Sequence, residues 1–532
     1  LGVVPKTFLP NYGEFYEMRH FTPGNPAKPG ELFQDGTRFS CPFGAQQIFT
    51  CSQLPGFSFG VELCEDVWVG DTPSVQMTQM GATIIVNLSC SDEIIGKEAY
   101  RRTMLQAKSG SLLCAYAYAD AGFGESTQDM VFAGHNLILE NGSIVAESPL
   151  FSSGILYGDV DVQKLQADRR RSNTFAVSQR QAVETYFSLP MQETILEHAI
   201  DPTPFVPAGK TDLETRCERI LMLQATGLAT RLRHIGCQTA VVGLSGGLDS
   251  TLAFLVMIRA FDLLHLDRSG ILAVTMPCFG TTKRTRSNAE ILCDELQVSF
   301  KEIDIANTVR SHFADIGQDE SVLDVTFENG QARVRTLELM DTANRTGGLV
   351  VGTGDLSELA LGWATYNGDH MSMYGVNAGV PKTLVRHIVQ YVADTCGSDT
   401  LRGVLLDILD TPVSPELLPT TEDGTIAQQT EKLVGPYELH DFYLYYVLRF
   451  GFSPAKIYHL ARTAFDGKYE PEILLAWLKN FYRRFFAQQF KRSCLPDGPK
   501  VGSVTLSPRG DWRMPSDACN ALWMAELEKL EV

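Results

Sequence analysis

The 532-residue sequence lacks several features that would each define a class of protein. No apolar run reaches the roughly 20 residues of a membrane-spanning helix, and no amino-terminal signal pattern is visible, so we expect a cytoplasmic protein without a membrane partner. None of the twelve cysteines belongs to a C-x-x-C pair, which is typical of free thiols and argues against a zinc site or a disulfide framework. The formal net charge of −18 disfavours a nucleic-acid partner.

The two common phosphate-binding motifs, G-x-x-x-x-G-K-[ST] and G-x-G-x-x-G, are also missing. Residues 241–251 instead read VVGLSGGLDST, in which an apolar strand ends in a Ser-Gly-Gly turn before a helix. Such a turn offers backbone N–H groups and the positive end of a helix to an anion. Ser245 and Ser250 add hydroxyl donors, and Asp249 adds an oxygen ligand for a metal ion. The run therefore predicts a polyphosphate site, with an ordinary glycine turn as the alternative.

A second polar cluster, Gly352-Thr353-Gly354-Asp355 and onward to Glu358, follows another apolar strand. Asp355 and Glu358 are three residues apart at a predicted helix start, so their carboxylates share one face. The pair is equally consistent with a helix cap and with a Mg²⁺ site beside the first loop.

The chain length predicts two or three domains. Residues 1–165 contain short apolar strands such as 82–88, which favours a layered α/β domain with strands buried on both faces. Residues 166–210 are charged and punctuated by proline, which predicts a linker. Residues 211–532 begin with a strand–helix alternation typical of a doubly wound parallel sheet, and 425–490 is predicted helical.

The predicted elements of this second domain define where its ligands bind, because a doubly wound sheet binds ligands at the carboxyl ends of its strands. The strands are 238–244, 271–276, 298–304 and 348–352, and the helices are 211–234, 250–264, 285–296, 331–346 and 355–361. Both polar loops follow predicted strands, so we expect them on the same edge of the sheet.

The S-G-G-x-D-S run resembles the pyrophosphate loop of the ATP pyrophosphatases, which split ATP between its α and β phosphates. Other runs make nearly the whole chain similar to the glutamine-dependent NAD synthetases. These runs are ENGQAR (328–333), GTGDLSE (352–358), LGWATYNGDH (361–370), VPKTLV (380–385), GPYELHDF (435–442) and FKRSC (490–494).

This resemblance implies a second domain of the adenine nucleotide α-hydrolase type, in which ATP adenylates deamido-NAD and ammonia then forms the amide. It implies that ATP is bound by Gly243, Leu244, Ser245, Gly246, Gly247, Leu248, Asp249, Ser250 and Thr353. It implies deamido-NAD contacts for Asn329, Glu358, Trp363 and Lys491, and Mg²⁺ held by Asp249 and Glu358. Lys382 would neutralise charge as pyrophosphate leaves. Simple core packing remains the alternative for Trp363, and a solvated loop lysine for Lys382.

Cys64 follows a predicted strand and precedes a polar turn, which fits a nucleophile, although a lone cysteine more commonly packs in a core. Lys6 could supply the positive charge that lowers the pKa of that thiol. The pair resembles the nitrilase superfamily, which implies an αββα sandwich and an amidase that uses Glu, Lys and Cys. Tyr12, Ser91 and Lys97 match the positions that bind glutamine in that superfamily.

The superfamily's general-base Glu should lie on a strand before Lys6, and no Glu precedes Lys6 here. The sequence also begins with Leu1 rather than Met. We therefore expect a first domain truncated at its start, in which Glu17 is an auxiliary acid. We expect residues 1–532 to use ammonium salts but not glutamine.

Two other functions compete with a glutamine-dependent ligase that makes NAD, AMP, pyrophosphate and glutamate. One is a different ATP-pyrophosphatase amidotransferase or a tRNA-modifying thiolase. The acidic balance and the lack of paired cysteines oppose the thiolase, and the run 363–369 opposes other substrates. The other is a non-catalytic scaffold, which the retention of Asp249 and Glu358 opposes. The resemblance also implies a homo-oligomer.

Overall fold

The computed structural model describes residues 1–530 except 26–27, 35–36, 127–128, 179–182, 193, 280–282, 412–416 and 418–432. The start of the predicted helical stretch 425–490 thus lies outside the described residues. The chain forms two compact units, Leu1–Ala199 and Ile200–Val532. Among the described helices, none combines the length and apolar character needed to span a bilayer.

The described part of the first unit contains nine strands. They are β1 (Lys28–Gln34), β2 (Thr37–Phe43), β3 (Gln47–Cys51), β4 (Ser58–Leu63), β5 (Ile84–Ser89), β6 (Ala115–Asp120), β7 (Leu137–Glu140), β8 (Ser143–Glu147) and β9 (Val183–Phe187). Seven of them form one mixed sheet in the order β8-β7-β6-β5-β4-β3-β9, whose central strands β4, β5 and β6 are parallel. The strands β1 and β2 pair as an antiparallel hairpin.

Within the described residues, the helices α1 (Pro73–Gln79) and α2 (Lys97–Ser111) pack on one face of this sheet. The fully buried side chains between sheet and helices include Met77, Ile85 and Leu105. The opposite face is more open, and Leu88 is 56% exposed. The expectation that β5 is buried on both faces is therefore wrong within the described residues. Of the predicted αββα sandwich, the described residues contain this one large sheet and the separate β1–β2 hairpin.

The stretch 166–210, predicted as a linker, contributes to the first unit. Helix α3 (Val162–Arg171) extends into it, and Ala167 and Asp168 of this helix are buried. The strand β9 pairs in parallel with β3 from Gln47 to Cys51, so it forms an edge of the sheet. The sequence did not predict this strand, because its alternation of half-buried and exposed residues covers only five positions and prolines follow it.

The second unit contains a five-stranded sheet and most of the helices. Its strands are β10 (Ala240–Gly243), β11 (Ile271–Thr275), β12 (Ser299–Glu302), β13 (Leu349–Gly352) and β14 (Tyr374–Gly375). Its helices are α4 (Lys210–Ile235), α5 (Leu248–Leu264), α6 (Lys283–Leu296), α7 (Ala306–Ile316), α8 (Val325–Thr346), α9 (Leu356–Leu361), α10 (Lys382–Thr395), α11 (Asp399–Leu409), α12 (Tyr437–Phe450), α13 (Pro454–Ala464), α14 (Pro471–Ala487), α15 (Gln489–Arg492) and α16 (Ala521–Glu528). All strand pairs are parallel, in the order β12-β11-β10-β13-β14.

This sheet confirms the predicted doubly wound parallel architecture. The helix α5 is apolar on nearly all sides, as expected of a helix at the centre of a core, and Phe254, Met257 and Phe261 are fully buried. Helix α8 begins six residues before the predicted start at 331, because Asp324 caps it by accepting the N–H groups of Thr326 and Phe327.

Candidate active sites

The predicted polyphosphate loop joins β10 to α5 in the second unit. Gly246 has a φ of +78°, a conformation that favours glycine over residues with a side chain. Gly247 is the N-cap of α5, and no side chain caps this helix start. The amide end of a buried apolar helix is thus directed at the loop, which is an arrangement suited to binding phosphate.

Hydroxyl groups brace this loop from within. The Oγ atoms of Ser245 and Ser250 lie 3.1 Å apart, and the Gly247 N–H donates to Ser245 Oγ at 3.3 Å. Ser250 and Thr251 donate their hydroxyls to the Gly247 carbonyl at 3.0 and 2.8 Å. The hydroxyls hold the glycine turn in shape.

A pocket of about 270 Å³ opens at the carboxyl ends of β10, β11 and β13 and collects most of the predicted residues. Those lining it are Gly243, Leu244, Ser245, Gly247, Leu248, Asp249, Ser250, Thr353, Glu358 and Trp363. Gly246, Asn329, Lys382 and Lys491 are not among its lining residues. The wall also contains residues that the sequence interpretation missed, including Met276, Arg335, Thr336, Leu339 and Asp369. Three of these share one face of α8 at helical spacing, which a helix-face argument could have found.

Three carboxylates converge on one ammonium group beside this pocket. Lys382 Nζ lies 2.5 Å from Asp249 Oδ2, 2.7 Å from Asp355 Oδ2 and 3.0 Å from Glu358 Oε1. Lys382 is only 3% exposed, so the alternative of a solvated loop lysine is wrong. The Tyr437 ring centre lies 5.2 Å from the same ammonium.

Burial and mutual charge shift the pKa values of this cluster. Burial raises the pKa of Asp355 well above its usual value and raises that of Glu358 to about 7, although Lys382 opposes both shifts. Burial alone would lower the pKa of Lys382, but the three carboxylates outweigh it and hold that pKa well above its usual range. The lysine therefore stays charged and partly compensates the acids.

A second layer of hydrogen bonds fixes Lys382 in place. Its backbone N–H donates to Ser357 Oγ at 2.8 Å. The buried Asp441 accepts the Ser357 hydroxyl and also the N–H and hydroxyl of Thr383, at 3.0 and 2.7 Å. The start of α10 is thereby tied to α9 and α12, so the ammonium has little freedom to move.

The same acids fit a divalent metal ion. One ligand oxygen each from Asp249, Asp355 and Glu358 lies within 4.8 Å of the others. Carboxylate oxygens are the ligands that Mg²⁺ prefers, and Asp249 Oδ1 is buried without a hydrogen-bond partner. Asp355 also caps α9 by accepting the Glu358 N–H at 2.8 Å, so the predicted capping is confirmed.

The residues assigned to deamido-NAD lie in and around the segment 362–370. Trp363 lines the pocket, with the Arg484 guanidinium 5.3 Å from its ring centre, so it is not simply packed in a core. Asn329 Oδ1 accepts the Thr365 hydroxyl at 2.8 Å. Lys491 Nζ donates to the carbonyls of Gly362 and Ala364 at 2.7 and 2.6 Å, and burial lowers its pKa. Asn329 and Lys491 therefore shape the segment that carries Trp363.

In the first unit, Cys64 follows β4 in a strained conformation. Its φ is +45°, a region that is uncommon for a residue with a side chain. Its N–H donates to Asn87 Oδ1 at 3.1 Å, and a short 3₁₀ turn, Cys64–Val67, starts at the same residue. A strained residue at a strand end is typical of a nucleophile presented to substrate.

The Lys6 segment is held against this nucleophile turn. Asp66 accepts the N–H groups of Thr7, Phe8 and Leu63 at 3.0, 2.8 and 3.0 Å. Because Asp66 follows Cys64 by two residues, this carboxylate ties the backbone next to Lys6 to the turn that begins at Cys64. The sequence interpretation did not single out Asp66.

The remaining predicted residues of this site have specific polar partners. Lys6 Nζ lies 2.7 Å from each carboxylate oxygen of Glu17. The Tyr12 hydroxyl donates to Glu65 Oε1 at 2.8 Å. Lys97 Nζ donates to Asp92 Oδ1 at 2.6 Å.

Ser91 lies on the loop that follows the strand beside Cys64. Its N–H donates to Asp120 Oδ1 at 2.9 Å, where β6 ends. The site therefore combines a strained thiol, a lysine paired with a carboxylate, and polar loops at the carboxyl ends of three parallel strands.

Comparison with known proteins agrees with this division of chemistry. The model of the NAD synthase family matches residues 221–460, and that of the carbon-nitrogen hydrolase family matches residues 8–170. The two sites and two folds define a ligase that joins a carbon-nitrogen hydrolase unit to an NAD synthase unit.

Whole-chain similarities point to one family. The glutamine-dependent NAD(+) synthetases of Mycobacterium bovis and Mycobacterium leprae are each 43% identical over 99% of this chain and 82% of the relative. The crystal structure of one such enzyme from Cytophaga hutchinsonii covers 99% of this chain and 82% of its own, at 19% identity and a TM-score of 0.50, which supports the fold. The chain belongs to the glutamine-dependent NAD(+) synthetases.

Proposed function

We propose that this chain converts deamido-NAD to NAD in an ATP-dependent amidation that uses ammonia from glutamine. The observation that carries the proposal is the position of the Ser245–Ser250 loop, the carboxylate cluster and Trp363 around one pocket. Whole-chain identity of 43% to named synthetases supports the same reaction.

The chemistry begins with a poor electrophile, because the negative charge of the nicotinate carboxylate repels nucleophiles. A carboxylate oxygen attacks the α-phosphorus of ATP, the α–β bridging bond breaks, and pyrophosphate leaves. Ammonia then attacks the carbonyl carbon of the adenylate, loses a proton and displaces AMP. The α5 amide end and the loop hydroxyls bind the phosphates through both steps.

The residues around the phosphates have distinct proposed roles. Asp249 and Glu358 would hold Mg²⁺, and a bound Mg²⁺ ion would neutralise part of the negative charge of the phosphates. Lys382 keeps its proton and lies next to both acids, so it is placed to neutralise the departing pyrophosphate. Trp363 offers a ring face for an aromatic part of deamido-NAD.

In the first unit, Cys64 is the proposed nucleophile toward the glutamine amide carbon, with Lys6 supplying positive charge beside it. Tyr12, Ser91 and Lys97 are the proposed glutamine contacts. Formation of a thioester would release ammonia, and hydrolysis of the thioester would release glutamate.

Two further assignments are part of this proposal. None of the twelve cysteines, which all belong to the described residues, forms a disulfide, and this supports a reducing, cytoplasmic location. A homo-oligomer is proposed from the family resemblance alone.

The proposal is tested by incubating the protein with ATP, Mg²⁺ and deamido-NAD, with ammonium chloride or glutamine in parallel. We expect NAD, AMP and pyrophosphate in equal amounts with ammonium. ADP and phosphate would show that the Ser245–Ser250 loop does not direct attack to the α-phosphorus. The glutamine arm tests the amidase separately from the synthetase. The sequence predicts that residues 1–532 form NAD from ammonium but not from glutamine, so NAD formed from glutamine would show that this prediction is wrong and would leave the proposed reaction intact.

A further inference from the structure

Two buried amides, Gln224 and Asn377, connect the loops of the nucleotide pocket. Both side chains are fully buried, and neither was singled out from the sequence. Asn377 follows β14, and Gln224 lies on α4. Their hydrogen bonds form a short chain that ends on the two loops assigned to ATP.

Asn377 bridges the two loops directly. Its Nδ2 donates to the carbonyl of Asp249 at 2.9 Å and to the carbonyl of Thr353 at 3.0 Å. Asp249 lies in the first turn of α5, after β10, whereas Thr353 follows β13. One side-chain amide therefore sets the spacing between the polyphosphate loop and the Thr353 loop.

Gln224 fixes the orientation of that amide. Its Nε2 donates to Asn377 Oδ1 at 3.0 Å and to the Val376 carbonyl at 2.9 Å. Backbone carbonyls can only accept, so both hydrogens of Asn377 must face the two loops. A flipped Asn377 would put its oxygen against two carbonyl oxygens, and Gln224 opposes the flip because its own NH₂ needs an acceptor.

We propose that Asn377 is a positioning residue for ATP and that Gln224 acts through it. The pair holds the two phosphate-binding loops at the spacing that the nucleotide requires, and contacts no substrate itself. The inference rests on the proposed ATP site and adds to it how that site is preorganised. Preorganised loops avoid an ordering cost when ligand binds.

Variants of Gln224 separate positioning from simple packing. In Gln224→Glu an ionised carboxylate can only accept and a protonated one has a single donor, so Asn377 Oδ1 and the Val376 carbonyl cannot both keep their donor. In Gln224→Met the orienting donor is lost, but nothing drives the flip. Asn377→Asp removes both donors and places a negative charge beside two carbonyls.

The experiment measures KM for ATP, KM for deamido-NAD and kcat with ammonium as nitrogen source, together with thermal unfolding of the apo protein. We expect Gln224→Glu and Asn377→Asp to raise KM for ATP about 10-fold, because buried polar groups lose their partners. Gln224→Met should raise it less, but by more than twofold, and KM for deamido-NAD should change less than twofold in all three. Gln224→Met keeps the test decisive if the charged variants fail to fold.

Gln47 provides a matched control in the first unit. It is also a fully buried amide, and its Nε2 donates to two carbonyls, those of Val3 and Gly44, both at 2.7 Å. Gln47→Met should lower the unfolding temperature without changing KM for ATP.

The inference is overturned if Gln224→Glu and Gln224→Met both leave KM for ATP within twofold of the unaltered protein while the unfolding temperature falls. If the unaltered protein forms no AMP or pyrophosphate, the proposed function itself fails, and the inference fails with it. The two failures are therefore distinguishable.

Discussion

The ammonium of Lys382 lies 2.5 Å from the carboxylate of Asp249. Asp249 lies in the first turn of α5, whereas Lys382 starts α10, at a sequence separation of 133. The pair joins α5, whose first turn lines the pocket, to α10, and Asp355 and Glu358 contact the same ammonium. Removal of the cation should therefore leave three neighbouring acids with like charge.

Lys382→Met should destabilise the protein by roughly 3–5 kcal/mol at pH 8, the usual cost of removing one partner of a buried ion pair. The loss should be smaller at pH 6. Without the lysine the folded-state pKa values of the acids rise further above their unfolded values, so stability falls as the pH rises through them. Thermal unfolding at both pH values, with a chelator present, measures the effect.

Lys468 supplies the control for this prediction. Its ammonium lies 2.5 Å from Glu438, but its side chain is 56% exposed. Lys468→Met should cost less than about 1 kcal/mol, because water screens exposed pairs. An equal loss at pH 6 and pH 8 in Lys382→Met would contradict the repulsion argument.

His440 predicts an acid limit to the stability of the second unit. Burial lowers its pKa to about 4, and its Nε2 hydrogen-bonds the Val434 carbonyl at 2.7 Å. In the unfolded chain this imidazole binds a proton near pH 6.5, whereas in the folded protein it binds one only near pH 4. Its contribution to the free energy of unfolding is therefore complete above pH 6.5 and is lost as the pH falls toward 4. Between pH 4 and pH 6.5, His440→Gln should reduce the slope of the free energy of unfolding against pH by up to about 1 kcal/mol per pH unit.

Chemical denaturation between pH 4 and pH 7 measures this slope. His459 is exposed and serves as the control, since His459→Gln should leave the curve parallel to that of the unaltered protein. Parallel curves for His440→Gln as well would mean that the pKa of His440 is the same in the folded and unfolded states, which contradicts the prediction.

The φ of Cys64 predicts an unusual order of stabilities. Glycine accepts a φ of +45° without strain, so Cys64→Gly should be about 1 kcal/mol more stable than Cys64→Ala. At Cys51, in strand β3, the order should reverse, because glycine weakens a strand. Urea unfolding of the four variants tests this, and the same order at both positions would exclude strain at Cys64.

Trp363→Ala should raise KM for deamido-NAD about 10-fold, the scale of losing one stacking partner. Trp363→Phe keeps an aromatic face and should raise it less. Steady-state kinetics with ammonium as nitrogen source gives both values. A change confined to KM for ATP would instead assign Trp363 to the adenine end of the pocket.

The polyphosphate loop and its strand could be predicted because their chemistry is local. The strand β10, the glycine turn and the start of α5 are consecutive, so composition and periodicity locate them within two residues of the observed bounds. The capping role of Asp355 was likewise predictable, since a cap depends only on its own helix.

Features that depend on distant pairing were not predictable. For Lys382 the sequence predicts charge neutralisation, with a solvated loop lysine as the alternative, but nothing near it reveals the three acids from other elements. The strand β9 has five residues and is recognisable only through its pairing with β3. Asn377 is unremarkable in sequence, and its function is apparent only when β10, β13 and α4 meet.

The central claim is that the carboxylate of deamido-NAD attacks the α-phosphorus of ATP in the pocket of the second unit. The most direct measurement uses deamido-NAD labelled with ¹⁸O in its carboxylate, with ATP, Mg²⁺ and ammonium, followed by mass spectrometry of the nucleotide products. One labelled oxygen should appear in AMP. Label found in inorganic phosphate, with ADP as the nucleotide product, would contradict the account.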